Sequence, residues 1–422
     1  MPARQLTRRG FVKGSAAAVG LTVLAAKSYA QVSGANNRLN VGIIGCGGMA
    51  GHHLGRLLAM RESENLAITM VCDVYRTRAE QFCDRVKEAG ADAPLVTQDH
   101  RAVLERKDVD YVLIASPEHS HARLTLDALD AGKHVYCEKP LTHTIPEAKK
   151  VVKKVRETGL KLQVGVQSMA DDSYSSAHEA IKAGMLGPVV HAQIDYVRRY
   201  SEDQGPWRRG TSPDQAQPAD LDWREWLRPA RRRPWDPRRY FEWRNYEDYS
   251  GGVATDLFVH RITRLIKACG LACPSRAVGM GGIILWPDGR ELPDNFEMTL
   301  EYPAVEGVTP GMVVNVLGTM ANQTGNRHCI RGHKGTLFFT PEGWEIKAEG
   351  SGEVVQKHQK TGGEDVVPHH RNHHAAIRDG AELYCPAELG YYAQVAVRMA
   401  NLSWFKRKML AWNPRRETVV SA

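Results

Sequence analysis

The sequence predicts an α/β N-terminal domain built on a doubly wound parallel sheet, followed by an α+β C-terminal domain with a large, mostly antiparallel open sheet. Three observations lead there. Short apolar runs alternate with helical periodicity between Leu39 and Val166. A glycine cluster, Gly45-Cys46-Gly47-Gly48, lies where the first run meets the first helix. After residue 167 the alternation stops and strand-like segments succeed one another. A chain of 422 residues is long enough for two sizeable cores.

Leu39–Gly45 is a short apolar run ending in glycine, which predicts a buried strand. A helical pattern follows over 49–60. Leu66–Cys72 is a second strand, closed by Asp73, and Arg78–Ala89 a helix stopping before Gly90. Val109–Ala115 is a third strand. Leu124–Ala131 is helical, with Gly132 at its end. His134–Cys137 is a strand. Thr144-x-x-Glu147 with Pro146 in the first turn starts a helix that runs to Gly159, before a strand over Leu160–Val166. Beyond it, Ser176–Ala183 is helical and Val189–Val197 alternates as a strand. Segments 275–285, 295–302, 311–319, 327–331 and 335–340 suggest a largely antiparallel sheet, and 371–410 returns to helical periodicity. The domains are therefore expected at 31–167 and 168–422. Residues 199–250 are rich in Trp, Pro, Arg and Tyr without periodicity, and so long a loop is more often functional than idle.

Composition excludes some functions. With 42% hydrophobic and 25% charged residues the chain is ordinary globular protein. Five of the eight surplus positive charges fall within residues 1–30 (Arg4, Arg8, Arg9, Lys13, Lys27), so no nucleic-acid partner is expected. Arg231–Arg233 reads as a solvated loop. Thr7-Arg8-Arg9-Gly10-Phe11-Val12-Lys13, the apolar stretch Ala16–Ala26 and Ser28-Tyr29-Ala30 resemble a twin-arginine export signal with a cleavage site after Ala30. The apolar stretch is too short to span a bilayer, and no stable membrane insertion is expected. The protein is expected to be periplasmic, or otherwise exported by that route. The eight cysteines are irregularly spaced and suggest no disulfide framework.

Gly45-Cys46-Gly47-Gly48-Met49-Ala50 fits G-x-G-x-x-A between a strand and a helix, the dinucleotide-binding context of a Rossmann domain. Gly45 permits the tight turn, Gly47 lets the pyrophosphate approach the helix N-terminus, and Ala50 keeps helix and strand close. Asp73 ends the second strand, where a carboxylate binds ribose hydroxyls and repels a 2′-phosphate. NAD is therefore expected over NADP, although Arg76 and Arg78 lie nearby. Glu138-Lys139-Pro140 directly follows another strand, at the edge where ligands gather. Asp256 and His260 are four apart and share one face of a helix.

This combination resembles the glucose–fructose oxidoreductase / inositol dehydrogenase / rhizopine catabolism (Gfo/Idh/MocA) family. The resemblance extends over Ala115-Ser116-Pro117-Glu118-His119-Ser120-His121, Gly132–Pro140 and Gly251–His260. Asp222-Trp223-Arg224-Glu225-Trp226-Leu227 looks like the family's exported branch. It implies that Lys139 hydrogen-bonds the reacting hydroxyl, that His260 is general base and acid, and that Asp256 orients the substrate or the imidazole. Glu138 and Pro140 would shape a turn with a cis peptide before Pro140. Pro117 and His121 would line the nicotinamide ribose, with Ser116 and Gln167 among the cofactor contacts, although Ser168-Met169 stand where the family commonly has a basic residue. Together with Gly48 and Met49 these residues complete the expected cofactor site. Tyr196, Arg198, Trp243 and Arg244 are candidate substrate contacts, while the tryptophans could equally fill the domain interface. His369, His370, His373 and His374 read as a surface cluster at a helix start; no metal is expected, since no acidic or cysteine ligand stands among them.

The expected activity is reversible hydride transfer between a sugar or cyclitol carbon and a tightly bound nicotinamide, in a homo-oligomer (dimer or tetramer). Export favours a cofactor returned to its starting state within each turnover. Dismutation between two sugars satisfies that, and so does NAD-dependent glycoside cleavage through transient oxidation, elimination and re-reduction. A non-catalytic sugar-binding protein is a third class, which intact Lys139, Asp256 and His260 disfavour. Export itself is open to test: the Arg8→Lys/Arg9→Lys double variant should remain cytoplasmic on cell fractionation, and undiminished export would remove the assignment.

Overall fold

The computed structural model describes residues 37–422, so the twin-arginine segment and the start of the first domain at 31 lie outside the described residues. The first domain runs β1 (Leu39–Ile44), α1 (Gly48–Met60), β2 (Leu66–Cys72), α2 (Arg76–Glu88), β3 (Leu95–Thr97) and α3 (His100–Leu104). It continues through β4 (Tyr111–Ile114), α4 (Glu118–Asp130), β5 (His134–Glu138), α5 (Ile145–Thr158) and β6 (Leu162–Gly165). The strands form a six-stranded sheet in the order β3-β2-β1-β4-β5-β6, all of whose pairings are parallel. β4 and β6 are buried along their whole length. Such strands are apolar on both faces unless a polar side chain is fully hydrogen-bonded, as Gln163 of β6 is. Thr144 and Glu147 form the capping box of α5, which ends on Gly159 at φ 67°.

The chain then forms α6 (Ser173–Lys182), β7 (Val189–Arg199), α7 (Trp223–Trp226) and α8 (Pro237–Phe241). A π-helical turn over Val253–Phe258 leads directly into α9 (Val259–Cys269). Strands β8 (Arg276–Gly282), β9 (Asn295–Tyr302), β10 (Met312–Thr319), β11 (Ala321–Asn322), β12 (Cys329–Gly332), β13 (Gly335–Thr340), β14 (Gly343–Ala348) and β15 (Val354–Gln359) follow. The chain closes with α10 (Val366–Asp379), α11 (Ala387–Lys406), β16 (Leu410–Asn413) and β17 (Thr418–Ser421). Together with β7 these strands form an eleven-stranded sheet ordered β15-β14-β13-β12-β7-β10-β9-β8-β16-β17, with β11 added on β7. β7 and β10 pair in parallel. β9 and β10 alternate, burying Phe296, Met298, Leu300 and Tyr302 and then Met312, Val314 and Val316. That face packs with α9 and α11 in one core. No helix of the described residues is long and apolar enough to cross a membrane.

Two expectations need correction. The 371–410 segment is two helices, interrupted by residues 380–386. His369, His370, His373 and His374 are not on the surface: all four are fully buried. The reason is that α10 docks onto the first domain. His53 Nδ1 lies 2.8 Å from His370 Nε2. The Tyr136 hydroxyl is 3.0 Å from His369 Nδ1, and the Tyr111 hydroxyl 3.1 Å from His374 Nε2. Among the described residues no group of three or more His, Cys, Asp or Glu is arranged to hold a metal.

The domains are also tied through Glu118, at the start of α4. Its carboxylate accepts hydrogen bonds from the Gly251 N–H and from the Thr255 hydroxyl (2.9 Å), fixing the π-helical turn. Burial pushes the Glu118 pKa up to about 7, against the hydrogen bonds that favour its charge. A raised native pKa means that the folded protein binds the proton more tightly than the unfolded chain. The associated stability is therefore present below about pH 4.5 and lost as pH rises through about 7. E118Q, uncharged throughout, should gain in Tm relative to the wild type as pH goes from 5 to 8 in thermal denaturation; a constant difference would mean that Glu118 does not titrate there.

Candidate active site

The site begins at the end of β1. Gly45 has φ 90°, and a Cβ there would lie 2.8 Å from the Ser116 backbone nitrogen, so only glycine fits the turn. Gly47 and Gly48 face open space: a Cβ on either would meet nothing within 4 Å. α1 starts here with no side-chain cap and no acidic residue in its first turn, so its N–H groups are left for an anion. A cavity of about 600 Å³ opens from this loop. Gly45, Gly47, Gly48, Met49, Asp73, Ser116, Pro117, His121, Glu138 and Lys139 all line it. This open glycine cradle at an uncapped helix start fits a dinucleotide.

Asp73 stands at the adenosine side. Its two carboxylate oxygens accept the N–H groups of Cys46 (2.7 Å) and Tyr75 (2.8 Å), so it also braces the glycine loop. Burial raises its pKa, which those backbone donors oppose. Arg78 lines the same end, its guanidinium 5.3 Å from the Tyr240 ring centroid. Ala50 does not line the cavity. It is fully buried in the core between α1 and the sheet, where a small residue allows their approach. Gln167 also lies outside the lining: its Nε2 donates to Glu138 Oε1 at 2.6 Å, the oxygen that also meets His53 Nε2 at 2.8 Å. The His121 ring nitrogens lie 2.7 and 2.9 Å from the Pro140 and Ser116 carbonyl oxygens. The Lys139–Pro140 peptide is cis.

At the far end a charge cluster joins the domains. Lys139 Nζ donates to Asp256 Oδ1 at 2.8 Å and to the Asp256 carbonyl at 2.9 Å. Arg244 Nε donates to the same Oδ1 at 2.9 Å. Although burial opposes its charge, Arg244 and Lys139 hold the Asp256 carboxyl well below the usual range. Asp256 lies in the π-helical turn and His260 at the start of α9, so the expected shared face of one α-helix is not formed; the carboxylate meets the two cations rather than the imidazole. Burial, then Lys139 and Arg264, hold the His260 pKa well below its ordinary value, and only Asp256 opposes them. His260 Nδ1 is enclosed without a hydrogen-bond partner.

The four candidate substrate contacts divide. Trp243 and Arg244 line the cavity, with the Arg244 guanidinium 4.2 Å from the Trp243 ring centroid. Tyr196 and Arg198 lie beyond it on β7, where the Tyr196 ring is 6.4 Å from that of His260. Trp223, Trp226, Tyr240, Tyr246 and Tyr249 build a small core, of which Trp226 and Tyr240 also line the cavity, and the Trp226 ring packs against His119 of α4 at 5.0 Å. Sequence reasoning missed Glu118 as the anchor of the π-helical turn; its place beside Pro117 and the nicotinamide-side residues was the available signal.

A family model described as "Oxidoreductase family, NAD-binding Rossmann fold" matches residues 39–166. Two described as "Oxidoreductase family, C-terminal alpha/beta domain" match 229–411 and 173–266. The scyllo-inositol 2-dehydrogenase (NAD(+)) of Bacillus subtilis is 30% identical over 169 residues, 40% of this chain and 46% of that protein. The chain thus spans under half the length of that relative. Among solved structures, the aldose-aldose oxidoreductase from Caulobacter crescentus shares the fold at TM-score 0.65 and 17% identity, covering 89% of this chain and 99% of that one. The WlbA dehydrogenase from Bordetella pertussis, solved with NADH and UDP-GlcNAcA, does so at TM-score 0.63 and 16% identity, over 89% and 99%. The chain belongs to the Gfo/Idh/MocA family of oxidoreductases and carries that family's NAD-binding Rossmann domain ahead of its C-terminal α/β domain.

Proposed function

We propose that this protein moves a hydride between a sugar or cyclitol carbon and NAD, at the cleft end where Lys139, Asp256 and Arg244 meet. The observation that supports it is the 2.8 Å contact of Lys139 Nζ with Asp256 Oδ1, which brings a strand-end ammonium against the second domain beside the nucleotide cavity. Bound in that cavity, NAD supplies the nicotinamide ring that accepts hydride in oxidation and returns it in reduction. The start of α1 holds the pyrophosphate and Asp73 the ribose hydroxyls, while Ser116, Pro117, His121 and Glu138 border the nicotinamide side. The inositol dehydrogenase relative supports the substrate class. The twin-arginine sequence supports export, and with it a cofactor kept bound and recycled between two sugars.

Lys139 has three N–H donors, two of them engaged by Asp256. The third serves the reacting hydroxyl and stabilises its developing alkoxide. His260, kept neutral by burial and neighbouring cations, takes the hydroxyl proton at Nε2, since Nδ1 is enclosed. In the reverse direction the same atom gives the proton back. Asp256 holds Lys139 in place and balances its charge.

Two experiments test these roles. Lys139→Ala and His260→Ala should each slow turnover roughly 10²–10⁴-fold while NAD titration stays near normal, and the double variant should lose less than the product of the two. Near-normal turnover by His260→Ala would remove it as the base. Asp73→Ala should weaken NAD binding and narrow its margin over NADP; a wild type that prefers NADP would show the role given to Asp73 to be wrong.

A further inference from the structure

Arg261 follows His260 on α9, and its guanidinium lies 4.6 Å from the Tyr196 ring centroid. Arg198 lies 4.9 Å from the same centroid and donates to the Tyr196 hydroxyl. Two guanidiniums therefore flank the ring that borders His260.

The neighbouring arginines have counter-charges. Arg244 is paired with Asp256, and Arg264 with Glu364 at 2.7 Å. Arg261 has none. It is half-buried, its guanidinium makes no hydrogen bond or ion pair with any described residue, and its Nε is enclosed without a partner. A guanidinium drawn partly out of water without an anion carries an uncompensated desolvation cost. The carboxylate that acts on it, Glu364, offsets this cost only in part. Glu364 is engaged by Arg264, and Asp195 by the Asn326 N–H and His328. The deficit extends to His260, where Lys139, Arg264 and Arg261 face Asp256 alone.

The geometry points to an anion subsite beside the reacting centre: Arg261, with Arg198 outside it, receives a negatively charged group on the substrate, so that the sugars used are acidic ones rather than neutral hexoses or cyclitols. This rests on the hydride-transfer reading of the site and narrows its substrate class. A carboxylate and a phosphate ester both present the paired oxygens that a guanidinium fork accepts. Either would supply the missing counter-charge, and by offsetting Arg261 it would restore basicity to the adjacent imidazole.

The test is calorimetric titration of the NAD-loaded protein with D-glucose, D-glucuronate and D-glucose 6-phosphate, and with their galacto counterparts. At least one acidic sugar should bind about tenfold or more tightly than its neutral counterpart. R261Q should abolish that preference, R261K should retain part of it, and R198Q, altering an exposed side chain, should reduce it several-fold. If R261Q does not fold, R198Q and R261K decide. Neutral sugars binding as tightly as acidic ones, failure of every acidic sugar to bind, or a preference untouched by the substitutions would overturn the inference. Nicotinamide absorbance separates this from the parent reading. Reduction by neutral sugars alone would overturn the acidic class and leave hydride transfer standing. Tight binding of an acidic sugar that reduces nothing would support the subsite and count against hydride transfer.

Discussion

The two halves of the cleft meet on one buried carboxylate. Asp256 is 7% exposed, and taking such a charge out of water costs several kcal/mol unless cations replace the lost solvation. Lys139 comes to it from the end of β5 and Arg244 from the aromatic segment. Much else follows from satisfying that one group. The ammonium is held at the edge of the nucleotide cavity rather than wandering on its flexible stem. The guanidinium is held too, and with it the Trp243 ring beneath. The backbone that presents Asp256 departs from the α-helix, as π-helical turns often do at functional sites, and Glu118 clamps its N-terminal end.

The cavity is electrically lopsided as a result. At the adenosine end Asp73 is held by two backbone donors that fix the loop, with Arg78 as a cationic neighbour. At the other end cations outnumber anions, and burial together with their field keeps the His260 imidazole unprotonated. A base that is already neutral needs no titration before it accepts a proton, but it also has little affinity for one. The field must therefore change as substrate enters if proton transfer is to be efficient. A site in which Lys139 and His260 share one small volume cannot tune the two independently.

How much of this was legible in the sequence depended on how local each cause was. β1, β2, β4, β5 and β6 coincide closely with apolar runs because strands covered on both faces have no polar side to interrupt them. The capping box of α5 is a contact between residues three apart and reads directly. β3 is only three residues long and carries no pattern. β15 escaped as well: its six residues are exposed almost throughout, so no buried alternation marks it. β14 was also missed, although it buries Trp344 and Ile346 in alternation. The residue types of the site stood out as motifs, yet their partners did not. Lys139 and Asp256 are 117 positions apart, and Arg244, read as a substrate contact, is bonded to Asp256. Four imidazoles in six residues look polar and solvated by composition. They are buried because Tyr111, Tyr136 and His53 wait on a distant part of the chain to receive them.

That docking also dictates the order in which the molecule can be assembled. β6 is the outer strand of the parallel sheet, and what covers it comes from far downstream. The Val164 N–H donates to the Cys385 carbonyl at 2.9 Å, and the Cys385 N–H to Gln163 Oε1 across 222 positions of sequence. Gln163 Nε2 reaches back to the His369 carbonyl at 3.1 Å. On a ribosome adding about 5–20 residues per second, that edge stands uncovered for roughly 10–40 s after it is made, a template for mispairing throughout. The nucleotide-binding half is thus the first to be synthesised and among the last to be finished, so its completion waits on nearly the whole chain.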